Sequence, residues 1–116
     1  MNTARSAMGQ TKTQAHWIEA QVYRALANPT RLDILSTLEA GPRTVTDLAD
    51  ALGRPISCIS RHLRVLRETT LVNAHRLGPT IMYSMSDQRI VQVLELLRLA
   101  FAHPTRLAST SRSARM

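Results

Sequence analysis

The amino-acid sequence predicts a mainly α-helical fold with one small β-hairpin. Five segments carry helical apolar spacing or helix-capping residues, and two short strand-like runs flank a Gly-Pro turn. The length of 116 residues fits one domain, and the 44% hydrophobic content is enough for a packed core. Aromatic residues make up only 3%, which argues against a base-stacking surface for single-stranded nucleic acid.

The two ends of the chain differ from its middle. Residues 1–14 lack apolar periodicity and predict a flexible N-terminal arm. Residues 104–116 are rich in Ser, Thr and Arg and predict a flexible basic C-terminal tail. Residues 15–103 are expected to form the single folded domain.

The charge of the chain indicates a polyanionic partner. Fifteen Lys+Arg against eight Asp+Glu give a formal charge of +7, and fourteen of the fifteen are arginine. Arginine forms bidentate hydrogen bonds with phosphate and guanine, so nucleic acid is the first expected partner and an acidic membrane the second. No signal peptide and no run of about 20 apolar residues is recognisable, which predicts a cytoplasmic protein without a membrane partner.

The first two helices are expected near the start of the domain. Apolar residues recur with helical spacing over residues 15–26. Asn28 and Pro29 are the residue types of an N-cap and a first helical position, which predicts a second helix over residues 29–39. The residues of this helix expected to be buried are Leu32, Leu35 and Leu38.

The next two helices form the pattern that indicates DNA binding. Val45 is expected in a short extended piece, Thr46 as the cap of a third helix over residues 47–52, and Gly53 as its end. A fourth helix follows at once over residues 55–69. Two short helices joined by about three residues that include glycine are typical of a helix-turn-helix, whose second helix enters the major groove.

The fourth helix has an apolar and a polar face. At about 100° per residue, one stripe expected to be buried consists of Ile56, Ile59, Leu63 and Leu66. Arginine can bond guanine O6 and N7 together, and serine can bond bases or phosphates. A merely solvated basic face is the alternative interpretation. The residues expected to contact DNA are Arg54, Ser57, Ser60, Arg61, Arg64 and Arg67.

A hairpin and a last helix complete the domain. Residues 71–76 and 81–85 predict two strands around a tight turn, and Arg76 beside that turn is expected to contact a groove or phosphates, or else to be an ordinary exposed turn residue. The last helix, residues 87–102, is apolar over more than one face, so a second copy of the chain is expected to cover it. The expected dimer interface consists of Trp17, Ile18, Val22, Val93, Leu94, Leu97 and Phe101.

Several segments together resemble the ArsR/SmtB family of winged-helix transcriptional repressors over residues 15–103. They are residues 25–32 (ALANPTRL), 34–35 (IL), 47–49 (DLA), 59–63 (ISRHL) and 82–85 (MYSM). The resemblance implies a winged helix-turn-helix that dimerises through its first and last helices. It also implies a palindromic double-stranded DNA operator, repression, and release by a small inducer that is often a metal ion. By position it adds His62 to the recognition helix and places Arg76 in the wing.

The metal sites of the resembling sensors are not preserved in this sequence. Thr44 and Thr46 stand where one site has two cysteines, and hydroxyls are poor ligands for soft metals. The positions that match a second site, on the last helix, are Asp87, Arg89, Ala100 and His103. Arginine cannot ligate and two ligands do not complete a Zn²⁺ shell, so no metal and no cofactor is expected and the inducer stays unknown.

The single cysteine is a candidate redox thiol. Cys58 lies in the first turns of the fourth helix, where the helix N-terminus, Arg54 and Arg61 would favour its reactivity. The alternative is a small, half-buried packing residue. One cysteine in the chain excludes an internal disulfide and a multi-thiolate metal cage.

The leading functional hypothesis is a homodimeric, sequence-specific repressor. The alternatives are a thiol-responsive repressor acting through Cys58, a nonspecific DNA-binding protein, and a winged-helix module for protein interaction. An enzyme is not expected, because the sequence has no Ser/His/Asp order, no paired-carboxylate motif and too few glycines, four, for a phosphate-binding loop.

Overall fold

The computed structural model describes the backbone of residues 3–102 and the side chains of residues 12–102. Within that range five helices and one antiparallel hairpin confirm the predicted fold class. In chain order they are α1 (Thr3–Leu26), α2 (Pro29–Leu38), α3 (Val45–Leu52), α4 (Ile56–Glu68), β1 (Val72–Leu77), β2 (Thr80–Met85) and α5 (Gln88–Ala100). The chain divides after Ser86 into two compact units, of which the first contains α1 to β2 and the second contains α5. No helix between residues 3 and 102 is long and apolar enough to cross a membrane.

Helix α1 begins well before the expected start at residue 15. It extends from Thr3 through the segment predicted to be a flexible arm. Residues 3–14 contain Ala, Met, Gln and Lys, which have high helix propensity, and no proline. Apolar periodicity reports a buried face rather than helicity, so its absence was a poor guide to where this helix begins. Residues 103–116, with the expected basic tail and His103, lie outside the described residues.

Helix α2 starts as predicted but buries a different face. Asn28 Oδ1 accepts a hydrogen bond from the Arg31 backbone N–H at 3.1 Å, and Pro29 occupies the first turn. Leu32, expected in the core, is 38% exposed. Thr30, Ile34 and Leu38 have i, i+4 and i+8 spacing and therefore share one face, with Leu35 beside it. Leu32 follows Thr30 by two residues, about 200° around the helix, so its side chain points away from that face. The buried residues of α2 are Thr30, Ile34, Leu35 and Leu38.

Helix α3 is capped by Thr44, which corrects the prediction that Thr46 is the cap and Val45 is extended. Thr44 Oγ1 accepts from the Asp47 N–H at 3.0 Å, and Asp47 Oδ2 accepts from the Thr44 N–H at 3.2 Å. This reciprocal capping box requires two residues three positions apart, which Thr44 and Asp47 satisfy and Thr46 and Asp47 do not. Gly53 ends the helix in the left-handed conformation, with φ of 63°, as predicted.

The core of the first unit lies where α2, α3 and α4 meet. Its largest fully buried side chains are Ile34, Leu35, Leu48, Ile59, Leu63 and Leu66. The hairpin lies beside this core, with register from Val72↔Met85 to Leu77↔Thr80 and a two-residue turn at its tip. Arg43 and Tyr83 exchange two backbone hydrogen bonds of 2.9 and 2.8 Å, which attach β2 to the segment before α3.

The corrected cap gives a direct test. We expect Thr44→Ala to lower the free energy of unfolding by about 1 kcal/mol, because alanine lacks the Oγ1 that accepts the hydrogen bond from the Asp47 N–H. Thr46 is exposed and lies between the two box residues, but it makes neither hydrogen bond of the box, so Thr46→Ala should change this free energy by less than about 0.5 kcal/mol. Denaturant titration at one fixed protein concentration measures both. Equal losses in the two variants would contradict the Thr44 assignment.

Candidate nucleic-acid interface

The turn between α3 and α4 fixes the angle between the two helices. The N–H groups of Gly53 and Arg54 both donate to the Ala49 carbonyl, the second at 3.1 Å, which closes the end of α3. Pro55 then starts α4, and its carbonyl accepts from the N–H groups of Cys58 and Ile59 at 3.1 Å each. The sharp change of direction within three residues confirms the predicted helix-turn-helix.

One face of α4 is anchored in the core, with one exception. Ile59, Leu63 and Leu66 are at most 1% exposed. Ile56, expected in the same stripe, is 51% exposed, so that expectation was wrong. As the first residue of α4 it lies at the end of the stripe, beyond the reach of the core, and the short turn before it provides no cover.

The opposite face of α4 carries exposed cationic and small polar side chains. Within residues 12–102 the structure gives none of its arginines an ion-pair partner, so their charge is available to a polyanion. The wing adds Arg76 on β1, also exposed and in register with Ile81. The exposed residues among those expected to contact DNA are Arg54, Ser57, Ser60, Arg61, Arg64, Arg67 and Arg76.

His62 differs from the other residues expected to contact DNA because it is half-buried and already has a partner. Arg31 Nη1 lies 3.3 Å from His62 Nδ1. The same guanidinium donates through Nε to the Ala25 carbonyl at 2.6 Å and through Nη2 to the Arg24 carbonyl at 3.1 Å. Arg31 therefore joins the C-terminal end of α1 to α4, a favourable place for a cation at a helix end.

The contact with Arg31 determines the protonation state of His62. A guanidinium has only donors, so Nδ1 of the imidazole accepts, and the ring is neutral with its proton on Nε2. Burial lowers the pKa of His62, and the charges of Arg31, Arg61 and Arg54 lower it further. Nothing in the sequence pointed to Arg31 in this role, because the two residues are 31 positions apart and only the packing of α2 on α4 brings them together.

The end of α4 is joined tightly to the wing. Thr70 has φ of 58°, a left-handed conformation that is unfavourable for a β-branched residue. The Leu71 N–H donates to the Leu66 carbonyl at 2.9 Å, which closes the helix. Ser86, directly after β2, bonds to the same segment at the base of the hairpin: its N–H donates to the Leu71 carbonyl at 3.1 Å and its Oγ to the Thr70 carbonyl at 2.6 Å. The wing thus starts in a direction set by α4.

Within residues 12–102, no three His, Cys, Asp or Glu side chains come close enough to hold a metal ion. Asp87 caps α5 and pairs with Arg89 at 2.7 Å, which lowers the pKa of Asp87 to about 2. Cys58 is half-buried on α4. The absence of a metal response remains a prediction, and so does the choice between sensor and packing residue for Cys58.

The residues expected at a dimer interface are mostly exposed, those on α1 within the first unit and those on α5 within the second. On α1, Trp17 and Ile18 are each 61% exposed, and Val22 is half-buried. On α5 and at its end, Val93, Leu97 and Phe101 are exposed, while Leu94 is 4% exposed. Further exposed apolar side chains not predicted for the interface are Tyr23, Leu96 and Leu99.

The lowered pKa of His62 predicts a pH-dependent stability. The unfolded chain takes up the His62 proton near pH 6.5, before the folded protein does, so stability is lost as pH falls below that value. We expect His62→Gln to lose less unfolding free energy than the wild type between about pH 7.5 and about pH 5.5. The measurement is denaturant titration across this range.

A matched variant isolates the effect of His62. His75→Gln removes an exposed imidazole on β1 that has no such partner among the described residues, and it should keep the wild-type pH dependence. If His62→Gln and the wild type lose stability in parallel, the assigned neutral state of His62 is wrong.

Comparison with known proteins shows the family. The helix-turn-helix domain family matches residues 26–74. The HTH-type transcriptional regulator NmtR of Mycobacterium tuberculosis is 47% identical over 76 residues, which cover 66% of this chain and 63% of NmtR. The chain therefore spans less than two thirds of the length of that relative.

Two solved structures share both the fold and the sequence pattern. NolR from Sinorhizobium fredii is 35% identical with a TM-score of 0.70, and the match covers 78% of this chain and 91% of NolR. The homodimeric winged helix-turn-helix DNA-binding domain of Mb0332 from Mycobacterium bovis, a possible ArsR-family transcriptional regulator, is 31% identical with a TM-score of 0.73, covering 77% and 82%. The resemblance seen in the sequence is confirmed: the chain belongs to the ArsR/SmtB family of winged-helix transcriptional regulators, which is not a family of enzymes.

Proposed function

We propose that this protein is a homodimeric repressor that binds a specific palindromic DNA operator and inserts α4 into the major groove. The observation that carries the proposal is the face of exposed arginine and serine on α4, held outward by Ile59, Leu63 and Leu66 on the opposite face. A helix of this kind, in the second position of a helix-turn-helix, presents its N-terminal half to base edges.

The residues of this face divide by their place on α4. Ser57, Ser60 and Arg61 lie in the N-terminal half, where Arg61 can bond O6 and N7 of one guanine and the serines can bond bases or phosphates. Arg54 precedes the helix and Arg67 lies in its last turn. These two flank the groove and suit phosphates, which position the protein without reading sequence.

The half-buried His62 contributes in a more restricted way. Its Nδ1 is occupied by Arg31, so the ring has one donor left, Nε2–H, for a phosphate oxygen. Arg76 on β1 is the wing residue suited to a minor groove or the neighbouring backbone. The two together extend the contact beyond the base-reading residues.

A homodimer accounts for the apolar surface of α1 and α5. Large exposed side chains on both helices are costly in water and are typical of an obligate interface. A twofold dimer places two recognition helices about 34 Å apart, one turn of DNA, and a palindrome matches this symmetry. The relative Mb0332 is homodimeric. We infer the same for this chain, with Trp17, Ile18, Val93, Leu97 and Phe101 in the interface.

The inducer stays unidentified and we infer that it is not a metal ion. Thr44, Thr46 and Arg89 cannot supply the ligands that the family sites require. Asp87, the remaining carboxylate, is engaged by Arg89. A repressor works on chromosomal DNA, so we place the protein in the cytoplasm.

Two variants separate sequence reading from general DNA affinity. We expect Arg61→Ala to weaken operator binding by about 1–3 kcal/mol and to relax sequence preference, because a base-edge contact is lost. Arg67→Ala should weaken operator and random duplex alike and reduce the salt slope of log Kd by about one. Fluorescence anisotropy with both duplexes at several salt concentrations measures these quantities.

The ratio of the two affinities also tests the competing functions. A wild-type protein that binds operator and random DNA equally would be a nonspecific DNA-binding protein, and one that binds neither at moderate salt would be a protein-interaction module. If Arg61→Ala and Arg67→Ala each lower the affinity for operator and for random duplex by the same factor, the recognition face is misassigned.

The dimer is tested by one charge on α5. We expect Leu97→Asp to dissociate the dimer in sedimentation velocity, because an unpaired carboxylate would be buried at the interface. Gln92→Asp adds the same charge at an exposed position about 140° away around α5 and should leave the dimer intact. A wild type that sediments as a monomer at micromolar concentration would contradict the proposal.

A further inference from the structure

The recognition helix carries one exposed apolar side chain that the core does not explain. Ile56 is the first residue of α4 and is 51% exposed, whereas the other apolar residues of its stripe are buried. Its neighbours on the exposed surface are polar or cationic, including Ser57 and Ser60. The side chain of isoleucine has no hydrogen-bonding group, so it can neither hold a phosphate nor bond a base edge through polar atoms.

The position of Ile56 on α4 determines what it can reach. At about 100° per residue, Ser60 lies about 40° from Ile56 around the helix and one turn further along. The Cα–Cβ bonds of a helix tilt toward its N-terminus, so the Ile56 side chain projects beyond the first turn. In a helix-turn-helix this end of the second helix is the one that approaches the bases.

We propose that Ile56 is a specificity-determining residue that packs against the 5-methyl group of a thymine in each half-site of the operator. The major groove displays one apolar group, the thymine methyl, and apolar side chains read it by contact. Burial of Ile56 against this methyl removes from water the apolar surface that the free protein exposes. The inference rests on the proposed DNA-binding function and adds a base preference to it.

The experiment uses the full chain and an operator obtained by binding-site selection from random duplex DNA. Each thymine of the selected half-site is replaced, one pair of symmetric positions at a time, by deoxyuridine, which lacks only the 5-methyl group. Affinity is measured by anisotropy for the wild type, Ile56→Ala and Arg67→Ala. The first variant removes the apolar contact and the second removes a phosphate contact.

We expect one thymine position at which deoxyuridine weakens wild-type binding by about fourfold per half-site, or about 15-fold when both half-sites are changed, the value for one buried methyl-sized group. Ile56→Ala should bind the thymine operator more weakly and bind the two operators equally at that position. Arg67→Ala should bind both more weakly and keep the wild-type ratio. Ile56 is exposed, so its replacement by alanine leaves the core intact.

The outcomes separate this inference from the proposed function. If selection yields a palindrome but no thymine is sensitive to loss of its methyl, or if the sensitivity persists in Ile56→Ala, the role of Ile56 is refuted while the repressor function stands. If selection yields no enriched sequence, the proposed function itself fails.

Discussion

The burial of three side chains on one face of α4 sets the orientation of this helix and of the elements packed around it. Ile59, Leu63 and Leu66 are anchored among α2 and α3, and each contributes about 1.5–3 kcal/mol through removal of apolar surface from water. Solvent-exposed charges on the opposite face contribute far less to stability. The fold therefore fixes α4 from its apolar side and leaves the arginine face free for a ligand, which is the arrangement that recognition of a polyanion requires.

Three further attachments hold this helix in place. The turn through Gly53 fixes its start, the hydrogen bonds around Thr70 join its end to the hairpin, and the contact of Arg31 with His62 ties its middle to the end of α1. The last of these depends on a neutral imidazole, because a protonated ring would face a guanidinium with no acceptor. The geometry of the recognition surface is thus coupled to the protonation of a single half-buried residue, in a basic environment that itself disfavours that proton.

The elements with strong local signals were predicted from the sequence, and the exceptions have physical causes. Asn28-Pro29 and Gly53 marked helix boundaries correctly because capping is a local interaction. Thr44 was missed in favour of Thr46 because both are good caps and only the three-residue spacing to Asp47 decides between them. The long-range contact of Arg31 and the exposure of Ile56 depend on packing, which no local pattern encodes.

In the proposed complex, the outward face of α4 in each protomer reads bases in the major groove, and the two helices lie one turn of DNA apart. Methylation interference is the sharpest test of this arrangement, because dimethyl sulfate methylates guanine N7, which lies in the major groove and is a proposed acceptor for Arg61. We expect N7 methylation to block binding at two symmetric guanines or guanine clusters about 10 base pairs apart. Binding that tolerates N7 methylation throughout the operator would contradict it.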